Sequence, residues 1–477
     1  MNSPFLWSFL VYVIGLTVYG WWSSRRTTGG DDFLLCGRSL PYLLTLGTTV
    51  ATMVGTGSSM GAVSKGYAGG WAGSLFGIGG AIGIFLLAKI FSSLRNSPVS
   101  SMGEELSAYV GGSRAVRVMV SVFVVLSSIA WLGAHLLGGA KYLAFAIPGL
   151  DPVLARGLVA AGFGIYAVLG GYRAVVVTDS IQAIVLFTGF VVTAGLAVAL
   201  VGGPGELASI QSQISQTNGS PQAIPSISLV CLVAVGILGT PSFRQRIYSG
   251  KSASSISRAF QTSGALYLGF SLLPAVVGMC AFRLVPGLED HGMAFPAMAT
   301  EVLPQWAGVL VLIAGLSATM SSASSDAIAS VTSILGDLHM AVRGHFPRNE
   351  RMILLSRISL SLTILVAFGM SMVTGSIMDY LELVITVFMT GLTVMALLGK
   401  LWPRYTSSGA IASLITAFIT ALTIRYTESF NQFWGNSTIP TVLVSGITGV
   451  VVSLLTPPQK LSFEKSADQN SRISTPQ

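Results

Sequence analysis

The sequence predicts an all-α membrane protein with about 13 transmembrane helices. Of its 477 residues 52% are hydrophobic and only 9% are charged, whereas soluble domains carry about 25% charged residues. The mean hydropathy is +0.73. Apolar segments long enough to cross a bilayer recur along almost the whole chain, and the basic residues between them sort to one side. We therefore expect one integral helical bundle rather than separate soluble domains.

Each predicted span is a mostly apolar segment near the roughly 20 residues that a bilayer requires. The first is expected to remain as a membrane helix, because no basic segment precedes it and no small-residue cleavage site follows it. We number the spans 1 to 13 in chain order: 4–22, 41–64, 71–92, 115–146, 153–170, 175–201, 224–242, 260–282, 304–336, 352–375, 379–402, 408–425 and 438–456.

The Lys and Arg residues indicate the orientation of these spans. With the N-terminus outside, 21 of the 26 basic residues fall on the cytoplasmic side, as the positive-inside rule requires. The sequence therefore predicts a multi-pass protein in the lipid bilayer of a plasma (bacterial inner) membrane, with its N-terminus outside and its C-terminus in the cytoplasm. The net charge of +8 reflects this topology, so no nucleic-acid partner is expected.

The segments outside the spans carry few functional signals. The outer connection 202–223 has no Lys or Arg and is predicted to be an exposed loop, and the polar tail 457–477 is predicted to be disordered. The chain has no phosphate-binding loop, so ATP-driven transport is not expected. No paired carboxylates with a metal-binding His and no Ser-His-Asp set are visible, so the chain is not expected to be an enzyme.

Two spans contain residues that break helices. Span 2 includes GTGSSMG (55–61) and span 7 includes VGILGTP (235–241). In hydrocarbon a break persists only where it lines a cavity or is buried in protein. Breaks five spans apart are typical of transporters built from two inverted five-helix repeats, with the substrate between them. For span 2 alone, a helix-packing surface of small residues is an alternative.

Span 9 carries a cluster of hydroxyl groups in LSATMSSASSDAIASV (316–331). Ser321, Ser324 and Ser325 share one helical face, with Ser322 beside them. Several neutral, hard oxygen donors together with main-chain carbonyls suit Na⁺. The alternative is that each serine bonds to its own helix.

Asp179 is predicted to lie inside span 6. An intramembrane carboxylate is costly and indicates a functional site, and a cation shared with the serine cluster is our candidate partner. A salt bridge to Arg173, or water reaching Asp179 near the cytoplasmic interface, remains an alternative.

Four motifs resemble the sodium–solute symporter family, which includes proline, sugar, sialic acid and pantothenate carriers. They are FLLCGRSLPYLLTLGTTVATMVG, LGGYRAVVVTDSIQA, GTPSFRQRIYSGKSASSISRA and ATMSSASSDAIASVTSILGDL, and the resemblance runs from about residue 30 to 405. It implies a leucine-transporter-like fold with inverted repeats at 41–201 and 224–405. Residues 1–40 and the two helices at 406–456 would then be peripheral.

The resemblance also implies the ligands of the coupling ion, Na⁺. The main site would take carbonyls of Ala51, Val54 and Ala318 and hydroxyls of Ser321 and Ser322. A second site would use Asp179, Ser324 and Ser325 and share Ser321.

The expected substrate pocket is small and weakly polar. Met53 stands where proline carriers have an acidic residue, so proline specificity cannot be inherited. Trp131 and His135 lie one turn apart in span 4, and His135 slightly favours a carboxylate substrate, unless it bonds only to a helix carbonyl. The residues expected to contact the substrate are Thr52, Met53, Thr56, Ser58, Ser59, Trp131, His135, Val233, Gly236 and Ile237.

These observations predict a sodium-coupled symporter that imports a small organic solute by alternating access. The solute would be a carboxylate, an amino acid or a vitamin-like compound, carried with one or two sodium ions per cycle, and one monomer would suffice. The alternative is a proton-coupled carrier of the same fold, with Asp179 or His135 as the proton relay. A channel is not expected, because no charged ring or filter motif is visible.

Overall fold

The chain folds as a bundle of helices. The computed structural model describes residues 2–25, 27, 29–344, 349–372 and 377–459. Within these ranges there is no β-strand, and only one isolated bridge, between Leu40 and Gly250. Ten helices are long and apolar enough to cross a membrane, or eleven when the bent pair Glu206–Asn218 and Ala223–Gly239 is counted as a span. The predicted all-α membrane class is confirmed.

Two of the long helices each contain parts of two predicted spans. Pro152–Leu200 has 49 residues, and at 1.5 Å per residue it would extend roughly 70 Å, more than twice the hydrocarbon thickness. At Gly171 its backbone leaves the helical region, with φ 59° and ψ −156°, and this position divides spans 5 and 6. The second is the 40-residue segment Gly57–Asn96, in which Gly70, with φ 65°, divides the second half of span 2 from span 3. Counted this way, the eleven helices correspond to the thirteen predicted spans.

The helices agree with the predicted spans to within several residues. The end of predicted span 10, together with residues 460–477 of the predicted disordered tail, lies outside the described residues. The α-helices are Asn2–Ser24, Gly30–Leu35, Tyr42–Met53, Val63–Gly69, Ser74–Phe91, Met102–Ala108, Arg114–Ala146, Pro152–Leu200, Glu206–Asn218, Ala223–Gly239, Pro241–Ser249, Ala253–Phe270, Leu272–Leu284, Ala294–Ala297, Gln305–Ser333, His339–Arg343, Asn349–Met370, Ile377–Val384, Thr390–Leu401, Ser407–Tyr426, Glu428–Trp434 and Thr438–Leu455. Tighter 3₁₀ turns occupy Cys36–Arg38, Gly70–Gly73, Ser92–Asn96 and His291–Met293, and wider π turns occupy Gly57–Ala62, Met298–Val302, Ile334–Leu338 and Ile385–Met389.

The outer connection 202–223 is not a simple loop, contrary to the sequence prediction. It contains the helix Glu206–Asn218. Ile210 and Ile214 are fully buried, and because they are four residues apart they share one helical face. This helix packs against the C-terminal ends of spans 2 and 8. A single buried stripe in a polar segment was too weak a signal to identify the helix from the sequence.

Span 9 lies at the centre of the bundle. In its most apolar stretch 89% of the residues are buried, compared with 22% in span 1 and 28% in span 13. Span 9 packs against the helices of spans 2, 4, 5 and 6. The serine cluster is therefore enclosed by protein, where its hydroxyls can meet groups from several helices.

Candidate ion and substrate site

Span 2 is broken where its glycines and hydroxyl residues begin. The first helix ends at Met53, and Val54 has φ −97° and ψ 55°. The chain resumes as a π turn at Gly57–Ala62. Ser58 partly satisfies the break, because its hydroxyl donates to the Met53 carbonyl at 3.0 Å. The last carbonyls of a helix lack partners within it, so the end of this helix presents main-chain oxygens to its surroundings.

The serines of span 9 reach these oxygens. The Ser321 hydroxyl lies 3.3 Å from the Ala51 carbonyl and 3.2 Å from the Ala318 carbonyl. The Ser322 hydroxyl donates to the Thr52 carbonyl at 3.3 Å. Ala51, Val54, Ala318 and Ser321 are fully buried. Neutral oxygens from two helices thus converge in a site shielded from water.

Asp179 lies beside this cluster and has Arg246 as its charged neighbour. Its Oδ2 accepts hydrogen bonds from Thr48 at 2.6 Å and Ser325 at 3.0 Å. The Arg246 Nη2 atom is 3.7 Å away from the same oxygen, and both side chains are fully buried. Arg246 also donates to Ser325 at 3.0 Å and to the Thr52 hydroxyl at 2.5 Å. No described residue donates a hydrogen bond to the other oxygen of Asp179.

The alternative in which Asp179 pairs with Arg173 is wrong. Arg173 instead bonds to Asp32 at 3.2 Å, and complete burial of Asp179 also argues against contact with water. Ser325 bonds to Asp179, but Ser324 does not. The Ser324 hydroxyl instead donates to the Ser321 carbonyl of its own helix at 3.1 Å. The structure therefore brings only part of the implied second site together.

A small cavity lies between spans 2, 4, 7 and 9. The space that the centre of a water molecule can reach is about 60 Å³, enough for roughly four to six water molecules at 10–15 Å³ each. All of the expected substrate residues line it except Ser59, which is buried outside it. The remaining lining residues were not predicted from the sequence to contact the substrate: Gly55, Gly57, Phe76, Thr240, Phe243, Tyr267, Ser322, Asp326 and Ile385.

His135 joins spans 2, 4 and 9 at this cavity. Its Nδ1 lies 2.8 Å from the Thr56 hydroxyl, and its Nε2 lies 3.4 Å from Asp326 Oδ2. Trp131 stacks on the imidazole with a ring separation of 5.7 Å. The partners of His135 are thus side chains of other spans rather than a carbonyl of its own helix. Asp326 was visible in the sequence beside the serines, but its contact with His135 depends on helix packing.

Span 2 is broken after Met53, and the helix of span 7 ends at Gly239 with Thr240 extended before the next helix begins at Pro241. Together with the central, hydroxyl-rich span 9, these breaks define a leucine-transporter-like fold, which solved structures share. A Na⁺-coupled sialic acid symporter, in a substrate-bound outward-open state, matches with a TM-score of 0.83 at 20% identity, over 96% of this chain and 98% of that one. A nucleobase-cation-symport-1 family transporter in a closed conformation matches with a TM-score of 0.61 at 12% identity, over 91% and 98%.

The model of the sodium:solute symporter family matches residues 33–417, and the chain belongs to this family. The sodium/proline symporter of Escherichia coli (strain K12) is 24% identical over 483 aligned residues, covering 95% of this chain and 94% of that protein. The sodium/proline symporter of Staphylococcus aureus (strain NCTC 8325 / PS 47) is 23% identical over 470, covering 94% and 91%. The chain is therefore a multi-pass membrane transporter rather than an enzyme, and it couples movement of a small solute to sodium.

Proposed function

We propose that the sodium ion which drives transport binds between the broken end of span 2 and the serines of span 9. The observation that carries this proposal is the approach of the Ser321 and Ser322 hydroxyls to the main chain of Ala51 and Thr52. Rotation of these hydroxyls would turn their lone pairs toward an ion. The proposed ligands are the carbonyls of Ala51, Val54 and Ala318 and the hydroxyls of Ser321 and Ser322.

Ser322 links this ion site to solute binding. Its side chain both contacts the Thr52 carbonyl and lines the cavity. An ion that holds span 2 against span 9 would fix one wall of the cavity before the solute arrives. Each ligand then raises the affinity for the other, because coupling between two sites is reciprocal.

A second sodium ion would bind near Asp179, with Ser321, Ser324 and Ser325. This second site is supported by Asp179 Oδ1, which receives no hydrogen bond from the described part of the chain. Arg246 already provides a positive charge there, and Ser324 bonds to the Ser321 carbonyl. The contacts favour one sodium ion per cycle over two.

We further propose that the N-terminus lies outside and the C-terminus in the cytoplasm of a bacterial plasma membrane. The inverted repeats would be 41–201 and 224–405. One chain contains every proposed ligand, so a monomer should be sufficient for transport.

The transported solute is proposed to be a small organic molecule of the carboxylate, amino acid or vitamin-like class. The relatives named above are proline carriers, but the substitution at Met53 argues against assigning proline here. The small size of the cavity is consistent with a solute of few heavy atoms.

Thermal unfolding of the purified chain in NaCl and in KCl tests the ion site. We expect a higher Tm in NaCl, because a ligand that binds only the folded state stabilises it. The effect should be lost in Ser321→Ala/Ser322→Ala. It should persist in Ser330→Ala, a control on the same helix whose buried hydroxyl has no hydrogen-bond partner among the described residues. Equal Tm values in the two salts for the unmodified chain would contradict the proposal.

A further inference from the structure

The cavity contains one carboxylate that sodium coupling does not require. Asp326 lies one helical turn beyond Ser322 on span 9, lines the cavity and is 3% exposed. Its Oδ2 faces His135 at 3.4 Å. Its Oδ1 is buried and receives no hydrogen bond from the residues that the structure describes.

A neutral imidazole can make both side-chain contacts of His135. The Thr56 hydroxyl can donate to Nδ1, which leaves the hydrogen on Nε2 to donate to Asp326. Both ring nitrogens are then satisfied without a second proton. In this arrangement His135 orients the carboxylate of Asp326 but does not neutralise it.

No fixed cation compensates this carboxylate from the cavity wall. The described lining of the cavity includes neither Lys nor Arg. The buried guanidinium of Arg246 is instead engaged by Thr48, Thr52 and Ser325 beside Asp179. A buried charge without a partner is strongly unfavourable, so the cavity is suited to a ligand that brings a positive charge.

Four aromatic side chains also line the cavity. They are Phe76, Trp131, Phe243 and Tyr267. The faces of aromatic rings attract organic cations, and a carboxylate repels anions. The cavity therefore combines two features that favour an ammonium group over a carboxylate.

We propose that the solute carries an ammonium group that binds to Asp326, and that it is a small organic amine or a zwitterion such as an amino acid. This inference rests on the proposed sodium-coupled function and narrows its substrate class. His135 positions Asp326, in contrast to the sequence-based expectation that it binds a substrate carboxylate. The accessible space of about 60 Å³ suits a compact molecule.

Two-carbon compounds that differ in charge test the proposal. The purified full chain is heated in NaCl with ethanolamine, glycine, ethylene glycol or glycolate. We expect ethanolamine, glycine or both to raise the Tm, and the neutral diol and the anion to leave it unchanged. Stabilisation by ethanolamine alone identifies a cationic solute, and stabilisation by glycine identifies a zwitterionic one. An equal response to ethylene glycol or glycolate would overturn the proposal, as would no response to either ammonium compound.

The variant Asp326→Asn tests whether this carboxylate binds the ammonium group, with the amine that stabilises the unmodified chain as the ligand. We expect the apparent affinity of the variant for this amine to fall about 30-fold or more, as for loss of one partner of a buried charge pair. The matched control is Asp290→Asn, which removes a half-exposed carboxylate bonded to Lys141 and should leave the affinity unchanged.

The thermal response to NaCl without amine distinguishes a failure of this inference from a failure of the proposed function. Stabilisation of Asp326→Asn by NaCl shows that the variant is folded and retains the ion site. Unchanged amine affinity in that variant would overturn the assignment. A shifted sodium requirement with unchanged amine affinity would identify Asp326 as an ion ligand and would also overturn it. Absence of a sodium response in the unmodified chain would instead contradict the proposed function.

Discussion

Ser322 is the residue whose replacement tests coupling most directly, because it contacts both the ion site and the cavity. In Ser322→Ala we expect the sodium concentration for half-maximal uptake to rise about tenfold or more, since a polar contact to a charged group contributes about 1.5–3 kcal/mol. The measurement is sodium-dependent solute uptake into proteoliposomes. Ser330→Ala serves as the control, and an unchanged sodium requirement in Ser322→Ala would remove this residue from the site.

Asp179 tests the number of ions. If it binds a second sodium ion, Asp179→Asn should lower the charge moved per solute and the Hill coefficient for sodium. Some loss of stability is also expected, because the Arg246 guanidinium would remain buried without its carboxylate. Charge and solute fluxes can be measured together in proteoliposomes, with Asp32→Asn as a control that removes the partner of Arg173. Unaltered values of both quantities would exclude Asp179 from ion binding.

At the residue scale, the sequence identified functional side chains but not the side chains with which they pair. Four hydroxyls within five residues identified the serine cluster, because that density is unusual in an apolar helix. The pairing of Asp179 with Arg246 and of Asp326 with His135 could not be predicted in the same way. These pairs join distant segments, and their formation depends on which face each helix turns toward its neighbours.

The break in span 2 is an element whose geometry can be tested at Gly55. A Cβ atom added there would lie 2.5 Å from the Ser322 hydroxyl and 3.5 Å from His135. Gly55→Ala should therefore displace Ser322 and weaken sodium and solute binding together, by about tenfold each if one polar contact is lost from each site. Binding can be followed by thermal shift in titrations of sodium and solute.

Gly195→Ala is the matched control for this test. It lies inside the long helix Pro152–Leu200, and no described atom approaches within 4 Å of the added carbon. This variant should bind both ligands normally and unfold at the same or a slightly higher temperature, because Ala favours helix more than Gly does. If Gly55→Ala also bound both ligands normally, close packing at the break would not be required for function.

Helix ends marked by Gly or Pro could be predicted from the sequence, whereas a helix with a mostly polar sequence could not. Gly239 and Pro241 flank the break of span 7 at Thr240, as expected from their conformational preferences. The helix Glu206–Asn218 was missed because its polar sequence resembles a loop. The turn at Gly171 was located only as a gap between two apolar segments, although its positive φ explains why a glycine stands there.

For the whole molecule, hydropathy predicted the number of spans but not their arrangement. Lipid and protein interior are both apolar, so a hydropathy pattern cannot distinguish a peripheral helix from a central one. The central place of span 9 follows instead from its polar groups, which need protein partners in a membrane. In its most apolar stretch 89% of the residues are buried, as expected for a central helix.

The orientation of the molecule can be tested with two cysteines placed at exposed positions. Gln216 lies on the helix Glu206–Asn218 of the outer connection, and Val342 is 78% exposed at the end of the helix that follows the serine cluster. Spans 7, 8 and 9 separate them, so they should lie on opposite sides of the membrane.

With Cys36, Cys231 and Cys280 replaced by Ala, a membrane-impermeant maleimide should label Gln216→Cys in intact cells and Val342→Cys only after permeabilisation. The physical reason is that cytoplasmic segments retain Lys and Arg, which are absent from 202–223 but present beside Val342. The reverse pattern would invert the orientation, and labelling of both from outside would contradict the three intervening spans.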